Sequence, residues 1–472
     1  MSHPSKLFGG ENQVPRLFGT SGIRGLVDEF LTPELAAKVG LSFATLLGNT
    51  GNAMVGRDVR PQSQLIQNAL MSGLLAGGID VMDCGLVPTP AVLFAMRKTD
   101  SKAAVIVTGS HTAPATTGLL FFLSDTGEMD ERGERHLESI YRTQQWRRLP
   151  WNQLGSLNTF DVLETYLTEI QKYVPRLPPY RVVVDPGNGS ACLTLGHVLE
   201  ILGCEVVTIN GQPDGTFPSR PPYPQPSNLA QLSSVVRETK ADIGVGTDSD
   251  GDRALFATES GQVLWGDVTA ALFARNELTA HKGGRVVTTV NTSSLIRLLC
   301  REHNGILTVT KVGPPAMAKA LRNHRDAIFA AEESGKYIWP EVLLYGDAAL
   351  ASGKLLRIME IEHKSLEQLQ SDLPRLYQLK RNVPCPDELK SIALECAAAA
   401  WRGREDTDVS TIEGLKVTDS NGSWFLLRAS GTEPVLRCYA ESSNAHQTEQ
   451  LLDESTELAQ NSISEASRRY KK

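Results

Sequence analysis

The segment Ala241-Asp242-Ile243-Gly244-Val245-Gly246-Thr247-Asp248-Ser249-Asp250-Gly251-Asp252-Arg253 carries a strand and the loop beyond it. Its first half is small and branched, with no helical spacing, and reads as a buried strand. Three carboxylates then follow at alternate positions, with an arginine after the last. Open α/β sheets place ligand sites beyond the C-terminal ends of their strands, so this acidic cluster is where a ligand is expected. Carboxylates this close repel one another unless a cation sits among them. Oxygen-only ligands suit a hard divalent ion, and Mg²⁺ is the usual one where phosphate is also handled. A calcium EF-hand needs a glutamate about a dozen residues from the first ligand, and Glu259 has the wrong offset. A solvated acidic turn is the simpler alternative.

Outward from this segment, apolar strands alternate with amphipathic helices. Residues 53–56 and 103–107 read as buried strands, and the stretch between them from Ser63 to Ala76 has helical spacing that stops at Gly77-Gly78. A second unit begins at Arg181-Val182-Val183-Val184-Asp185 and turns at Pro186-Gly187-Asn188-Gly189-Ser190 into a helix expected over 192–202. A Pro-rich excursion runs from 213 to 226. A third unit starts near Gly266 and holds strands at 285–290 and 327–330. The last hundred residues differ, with a helix expected over 389–402 and short strands at 414–417 and 423–428.

With 472 residues, the chain exceeds one ordinary core. Its composition, 41% hydrophobic and 21% charged, is that of a folded protein rather than a disordered one. A net charge of −7 with interspersed signs disfavours a nucleic-acid partner. No apolar run is long enough for a membrane span, and residues 1–6 lack the apolar core of a signal peptide. The seven cysteines are scattered without metal-binding spacing and read as reduced thiols, so a cytoplasmic setting is expected.

Four more loops carry chemistry-bearing residues. Val107-Thr108-Gly109-Ser110-His111-Thr112-Ala113-Pro114 follows a strand and exposes a serine hydroxyl as a candidate nucleophile or phosphate carrier, or else a helix cap. Ala331-Glu332-Glu333-Ser334-Gly335-Lys336 offers carboxylates and a hydroxyl to sugar hydroxyls, or is a solvated turn. Arg428-Ala429-Ser430-Gly431-Thr432-Glu433-Pro434, with Arg437 beyond, gathers donors around one point with one acidic neighbour, which is the chemistry of a phosphate nest. In Phe18-Gly19-Thr20-Ser21-Gly22-Ile23-Arg24-Gly25 the glycines allow close approach to a ligand and Arg24 can meet a phosphate.

In this order, these pieces resemble the α-D-phosphohexomutase superfamily of phosphomannomutases, phosphoglucomutases and phosphoglucosamine mutases. The 18–25 segment and Pro213-Asp214-Gly215-Thr216-Phe217-Pro218 are most similar to its archaeal-type branch. The resemblance implies three related α/β domains and a C-terminal α+β domain of TATA-box-binding-protein-like fold around a central cleft. They are expected at residues 1–155, 156–260, 261–372 and 373–472. It implies an isomerase that interconverts hexose 1-phosphate and hexose 6-phosphate, mannose or glucose first, with glucosamine or pentose phosphates as alternatives. A non-catalytic sugar-phosphate-binding paralogue is a further alternative. Ser110 is the implied phosphoserine; Asp248, Asp250 and Asp252 bind Mg²⁺ together with the Ser110 phosphate. Arg24 and Arg253 serve the catalytic centre. Glu332, Ser334 and Lys336 are placed toward the sugar. Arg428, Ser430, Gly431 and Thr432, with Arg437, hold the distal phosphate. A hexose 1,6-bisphosphate would prime the enzyme, and the partner is a small sugar phosphate, with neither nucleic acid nor membrane and with the oligomeric state open.

The serine loop departs from the family's S-H-N-P…N-G-x-K pattern at Thr112, Ala113, Thr117 and Leu120. Leucine cannot replace the lysine that serves some members as acid/base. His111 is the nearest titratable group, either for proton transfer or for orienting the loop, with Lys336 and Lys311 as further candidates. Pro314-Pro315 stiffens the loop after Gly313, and Ala331 and Lys336 also depart from the common sugar loop.

Overall fold

The computed structural model describes residues 16–401, 407–431 and 433–470. Residues 1–6, Arg402 and Thr432, which carried expectations above, lie outside them.

The first sheet contains β1 (Ile23–Leu26), β2 (Asn52–Arg57), β3 (Asp80–Leu86), β4 (Ala103–Val107), β5 (Thr116–Leu123) and β6 (Leu157–Thr159), in the order β1-β5-β4-β2-β3-β6. Only β5 runs against the others. β4 is Ala-Ala-Val-Ile-Val and buried throughout, as a central parallel strand covered on both faces must be. The helix Pro61–Ala76 begins with proline at its first position, where no amide hydrogen is needed. It packs against the helix Pro33–Leu46 at Gly73, where a Cβ would lie 2.0 Å from the Ala37 carbonyl oxygen.

The second sheet contains β7 (Arg181–Asp185), β8 (Glu205–Thr208), β9 (Ile243–Thr247) and β10 (Ala254–Ala257), ordered β10-β9-β7-β8. The third contains β11 (Gly284–Thr289), β12 (Gly305–Thr310), β13 (Ala327–Glu332) and β14 (Lys336–Ile338), ordered β12-β11-β13-β14. In all three sheets a parallel strand ends in a loop that returns as an antiparallel neighbour: β4 to β5, β9 to β10, β13 to β14. The serine, acidic and sugar loops therefore occupy the same position in three related units.

The fourth sheet is wholly antiparallel: β15 (Tyr377–Pro384), β16 (Thr407–Ser410), β17 (Leu415–Asp419), β18 (Trp424–Ala429) and β19 (Val435–Ser442), ordered β15-β19-β18-β17-β16. The helices Lys390–Trp401 and Ala445–Tyr470 cover it. One apolar cluster runs through the first three units, including Phe94, Tyr166, Leu199, Phe273, Trp339 and Leu355. The fourth has its own core, joined to the third where Val290 meets Trp424, Leu426 and Tyr439.

Two expectations are corrected here. The first sheet runs past residue 155, because β6 pairs with β3 and Ser156 anchors it by donating from N and Oγ to Asp80 Oδ1, both at 2.7 Å. Its three residues are all exposed, so they carry no apolar alternation. The helix expected over 192–202 is a 3-10 turn, Ser190–Leu193, followed by a helix Leu195–Leu202. Ser190 is pulled toward the acidic loop, its N and Oγ donating to the Ser249 carbonyl at 2.6 and 3.0 Å. No helix among the described residues is long and apolar enough to cross a membrane.

Candidate active site

Ser110 is 2% exposed and adopts φ +48°, in the left-handed region. That conformation costs a non-glycine residue about 1–2 kcal/mol and persists only when its surroundings impose it. Here they do. Thr108 Oγ1 accepts from Ser110 N at 2.8 Å, and Asp58 Oδ2 accepts from Thr108 Oγ1 at 2.9 Å and from Gly109 N at 3.0 Å. Arg60, fully buried, donates from Nη2 to the carbonyls of Ser110 and Thr112 at 3.0 and 2.6 Å and pairs with Asp58. Ser249 Oγ, from the acidic loop, also donates to the Ser110 carbonyl at 2.8 Å. Gly109 has no room for a side chain, since a Cβ would lie 2.3 Å from the Thr116 carbonyl oxygen. Asp58 and Arg60 are not among the residues that the sequence singles out. Their signal was a charged run, Arg57-Asp58-Val59-Arg60, directly after a buried strand.

The Ser110 hydroxyl donates to Asp248 Oδ2 at 3.1 Å. One ligand oxygen from each of Asp248, Asp250 and Asp252 lies within 4.8 Å of the others, and the three residues are 0, 0 and 2% exposed. Burial, reinforced by the neighbouring carboxylates, pushes Asp248 well above the usual carboxylate range and raises Asp250. Burial opposes ionisation of Asp252 too, but Lys336 and Arg253 outweigh it and hold its pKa below the ordinary value. Asp250 Oδ1 and Asp252 Oδ1 have no hydrogen-bond partner among the described residues. Buried oxygens are rarely left so, and an oxygen-only, anionic cluster of this kind fits a hard divalent cation.

Cationic groups ring the cluster. Arg253 Nε lies 3.8 Å from Asp248 Oδ2 and 3.6 Å from Asp252 Oδ1. Arg24 sits on β1 opposite Gly118, with its Nε buried and unpartnered among the described residues. His111 Nδ1 is 3.3 Å from Ser110 Oγ. Burial, then Arg253, Arg24, Lys336 and Arg60, push the His111 pKa well below 6.5, so the ring is neutral at pH 7. Glu128, another residue missed in the sequence, accepts from Ser21 Oγ at 2.7 Å. Burial pushes it up to about 7 against the pull of Ser21, Lys336 and Arg24. Leu120 is fully buried on β5 opposite Ile106, in the core rather than the cleft. Lys311 is exposed.

On the sugar loop, Glu332 ends β13 and accepts from Gly313 N at 3.0 Å, with Ser334 Oγ 3.5 Å from its other oxygen. Lys336 pairs with Glu332 across the β13–β14 turn, but its side chain leaves the loop. Its Nζ is buried against Asp252 Oδ2 at 2.8 Å and lies 3.9 Å from the Tyr345 ring centroid. The position belongs to the sugar loop, but the side chain serves the acidic one.

The β18–β19 hairpin carries the candidate phosphate loop. Arg428 donates from Nε to Glu413 Oε1, and Glu413 Oε2 accepts from Val312 N at 2.6 Å. Arg437 donates to Glu433 Oε2 at 2.8 Å. The loop therefore has two acidic neighbours, not one, because Glu413 arrives from the turn before β17. Lys390, also unforeseen, is 5% exposed and donates to the carbonyls of Ser430 and Glu433 at 2.7 and 2.6 Å. Thr20 touches this loop and the third unit together: a Cβ on Gly431 would lie 2.5 Å from its Oγ1, and one on Gly313 3.2 Å from its Cγ2. Loops from the first, third and fourth sheets thus meet around Thr20.

Three hairpin loops on related α/β units and a fourth on an antiparallel sheet are thus gathered with a buried serine beside three aspartates. The family models for phosphoglucomutase/phosphomannomutase alpha/beta/alpha domains I, II and III and for the C-terminal domain match residues 15–148, 164–261, 265–377 and 381–458. A phosphoglucomutase/phosphomannomutase of Thermococcus kodakarensis is 34% identical over 457 residues, covering 95% of this chain and 99% of the relative. A probable phosphoglucosamine mutase of Pyrococcus abyssi is 36% identical over 453 residues, covering 96% and 99%. The crystal structure of a phosphoglucomutase/phosphomannomutase family protein from Burkholderia thailandensis is 26% identical, with a TM-score of 0.84 over 94% of this chain and 97% of that one. The chain belongs to the phosphoglucomutase/phosphomannomutase family, within the α-D-phosphohexomutases. It is an isomerase, an intramolecular phosphotransferase.

Proposed function

We propose that the chain interconverts the 1- and 6-phosphates of a hexose, mannose or glucose first, through a phosphoserine at Ser110 and a bisphosphorylated sugar. The observation that carries this reading is the Ser110 hydroxyl, 3.1 Å from Asp248 Oδ2 at the edge of three converging buried carboxylates. Asp248, Asp250 and Asp252 would hold Mg²⁺, which when bound neutralises charge on the phosphoryl group.

In the forward half-reaction the bond from Ser110 Oγ to phosphorus breaks, and the sugar's free hydroxyl oxygen bonds to that phosphorus. Neutral His111, whose Nδ1 is 3.3 Å from Ser110 Oγ, would take the hydroxyl proton and pass it to Ser110 Oγ as that oxygen leaves phosphorus. Once the bisphosphorylated sugar has turned over, the proton would travel back through His111 to the departing sugar oxygen as Ser110 is re-phosphorylated. Arg253 and Arg24 offset the charge of the moving group. Asp58 and Arg60 hold the serine loop in place, so little reorganisation is required at the moment of transfer. Glu332 and Ser334 meet sugar hydroxyls. Arg428, Ser430, Gly431, Thr432 and Arg437 anchor the other phosphate. All seven cysteines are free thiols, which supports a cytoplasmic setting.

Phosphoglucosamine is the second reading, favoured by the Pyrococcus relative. A coupled assay against mannose-, glucose-, glucosamine- and pentose-1-phosphates, with Mg²⁺ and a hexose 1,6-bisphosphate primer, ranks the substrates. Ser110→Ala is expected to abolish isomerisation and phosphate incorporation by intact mass. Full activity in that variant would end the phosphoserine scheme.

A further inference from the structure

Lys336 is one of the largest wholly buried side chains, at 1% exposure. Its Nζ donates to Asp252 Oδ2 at 2.8 Å, and the Tyr345 ring lies 3.9 Å away. The stem is fixed as firmly as the head, since a Cβ on Gly346 would lie 2.7 Å from Lys336 Cγ. The adjoining backbone is tied to the acidic loop by Ala254 N, which donates to the Gly335 carbonyl at 2.9 Å. The ammonium is thus built into the acidic cluster.

Buried lysines are rare unless paired. This one is paired with a carboxylate that is also a candidate metal ligand. Arg253 already lies against Asp248 and Asp252. The three aspartates therefore receive cationic charge from side chains on both flanks before any ion arrives. A fixed positive charge beside a cation site opposes a second cation by direct Coulomb repulsion, and burial leaves that repulsion poorly screened.

From this we infer that Lys336 is a resident counter-cation of the acidic loop, which positions Asp252 and weakens the hold of the three aspartates on their divalent ion. This rests on the reading of Asp248, Asp250 and Asp252 as the Mg²⁺ site. A loosely held ion suits a centre whose charge changes whenever Ser110 gains or loses a phosphate.

The test is calorimetric titration of Mg²⁺ into the full dephosphorylated chain, with the phosphorylation state checked by intact mass. Lys336→Gln keeps a donor near Asp252 but removes the charge, and should bind Mg²⁺ on the order of tenfold more tightly than the parent. Lys336→Met should do the same, and serves if the glutamine variant fails to fold. Lys336→Arg keeps the charge and should stay near the parent affinity. Equal or weaker binding in the neutral variants would overturn the counter-cation role while leaving the metal site standing. No saturable binding in the parent or any variant would overturn the metal reading and this inference with it. Tighter binding cannot come from a merely damaged fold.

Discussion

Asp58 reaches Ser110 through its neighbours Thr108 and Gly109, and so sets the conformation of the residue that the chemistry turns on. Its two oxygens take the Thr108 hydroxyl, the Gly109 amide, the Arg60 amide and guanidinium, and the Ser63 hydroxyl. Asp58→Asn replaces one acceptor of that set with a donor and should loosen Ser110 without unseating the substrate. A fall in kcat of roughly a hundredfold with little change in KM is expected from steady-state kinetics. An unchanged kcat would remove Asp58 from the mechanism. At this scale legibility followed sequence distance. Ser110 and the three aspartates stand in short, dense runs and were readable. Glu128, Lys390 and Glu413 act across long separations that a single sequence does not reveal, and Asp58 offers only a charged run after a strand. Lys336 shows a further limit: spacing assigned it to a loop, but not the direction in which its side chain turns.

The strands that carry loops are legible because they are short apolar runs that give way to polar residues at or just beyond their ends, as β4, β9 and β13 all do. β15 was not, since Tyr-Gln-Leu-Lys-Arg-Asn-Val-Pro has no clean alternation and most of its residues are exposed or half-buried. The helix Lys390–Trp401 was readable as a helix, but its bearing on the phosphate loop was not. Lys390, at its start, bridges two carbonyls of that loop from below. Lys390→Met leaves both carbonyls short of a buried donor, a loss of about 1–3 kcal/mol, and should loosen the anchor more than the reacting end. KM for sugar phosphate should rise on the order of tenfold, with kcat at saturation nearly kept. A kcat defect with unchanged KM would contradict this.

Across the whole molecule, the three related units share an apolar core, while the fourth is attached mainly through Val290, Trp424 and polar links such as Val312 to Glu413. The four-unit plan was readable from the change of pattern in the last hundred residues, whereas the meeting of loops at Thr20 exists only in three dimensions. Burying carboxyls beside the centre also has a global cost. Glu128 titrates at about 7 in the folded chain against an ordinary 4.5, so folding takes up a proton between those values. Its contribution to stability is complete at acid pH and is lost as pH rises through about 7. Glu128→Gln should therefore gain in thermal midpoint relative to the parent at pH 8 compared with pH 5. A constant difference between the two pH values would show that Glu128 does not titrate in this window.

The pairing of β1 with β5 also orders events during synthesis. Ile23 finds its partner in Leu119 and Arg24 in Gly118, so β1 leaves the ribosome long before the strand it needs. β2, β3 and β4 can associate first, as consecutive parallel strands joined by helices. Arg24 is thus among the earliest functional residues to be translated, and it can be seated only once β5 has emerged to receive it.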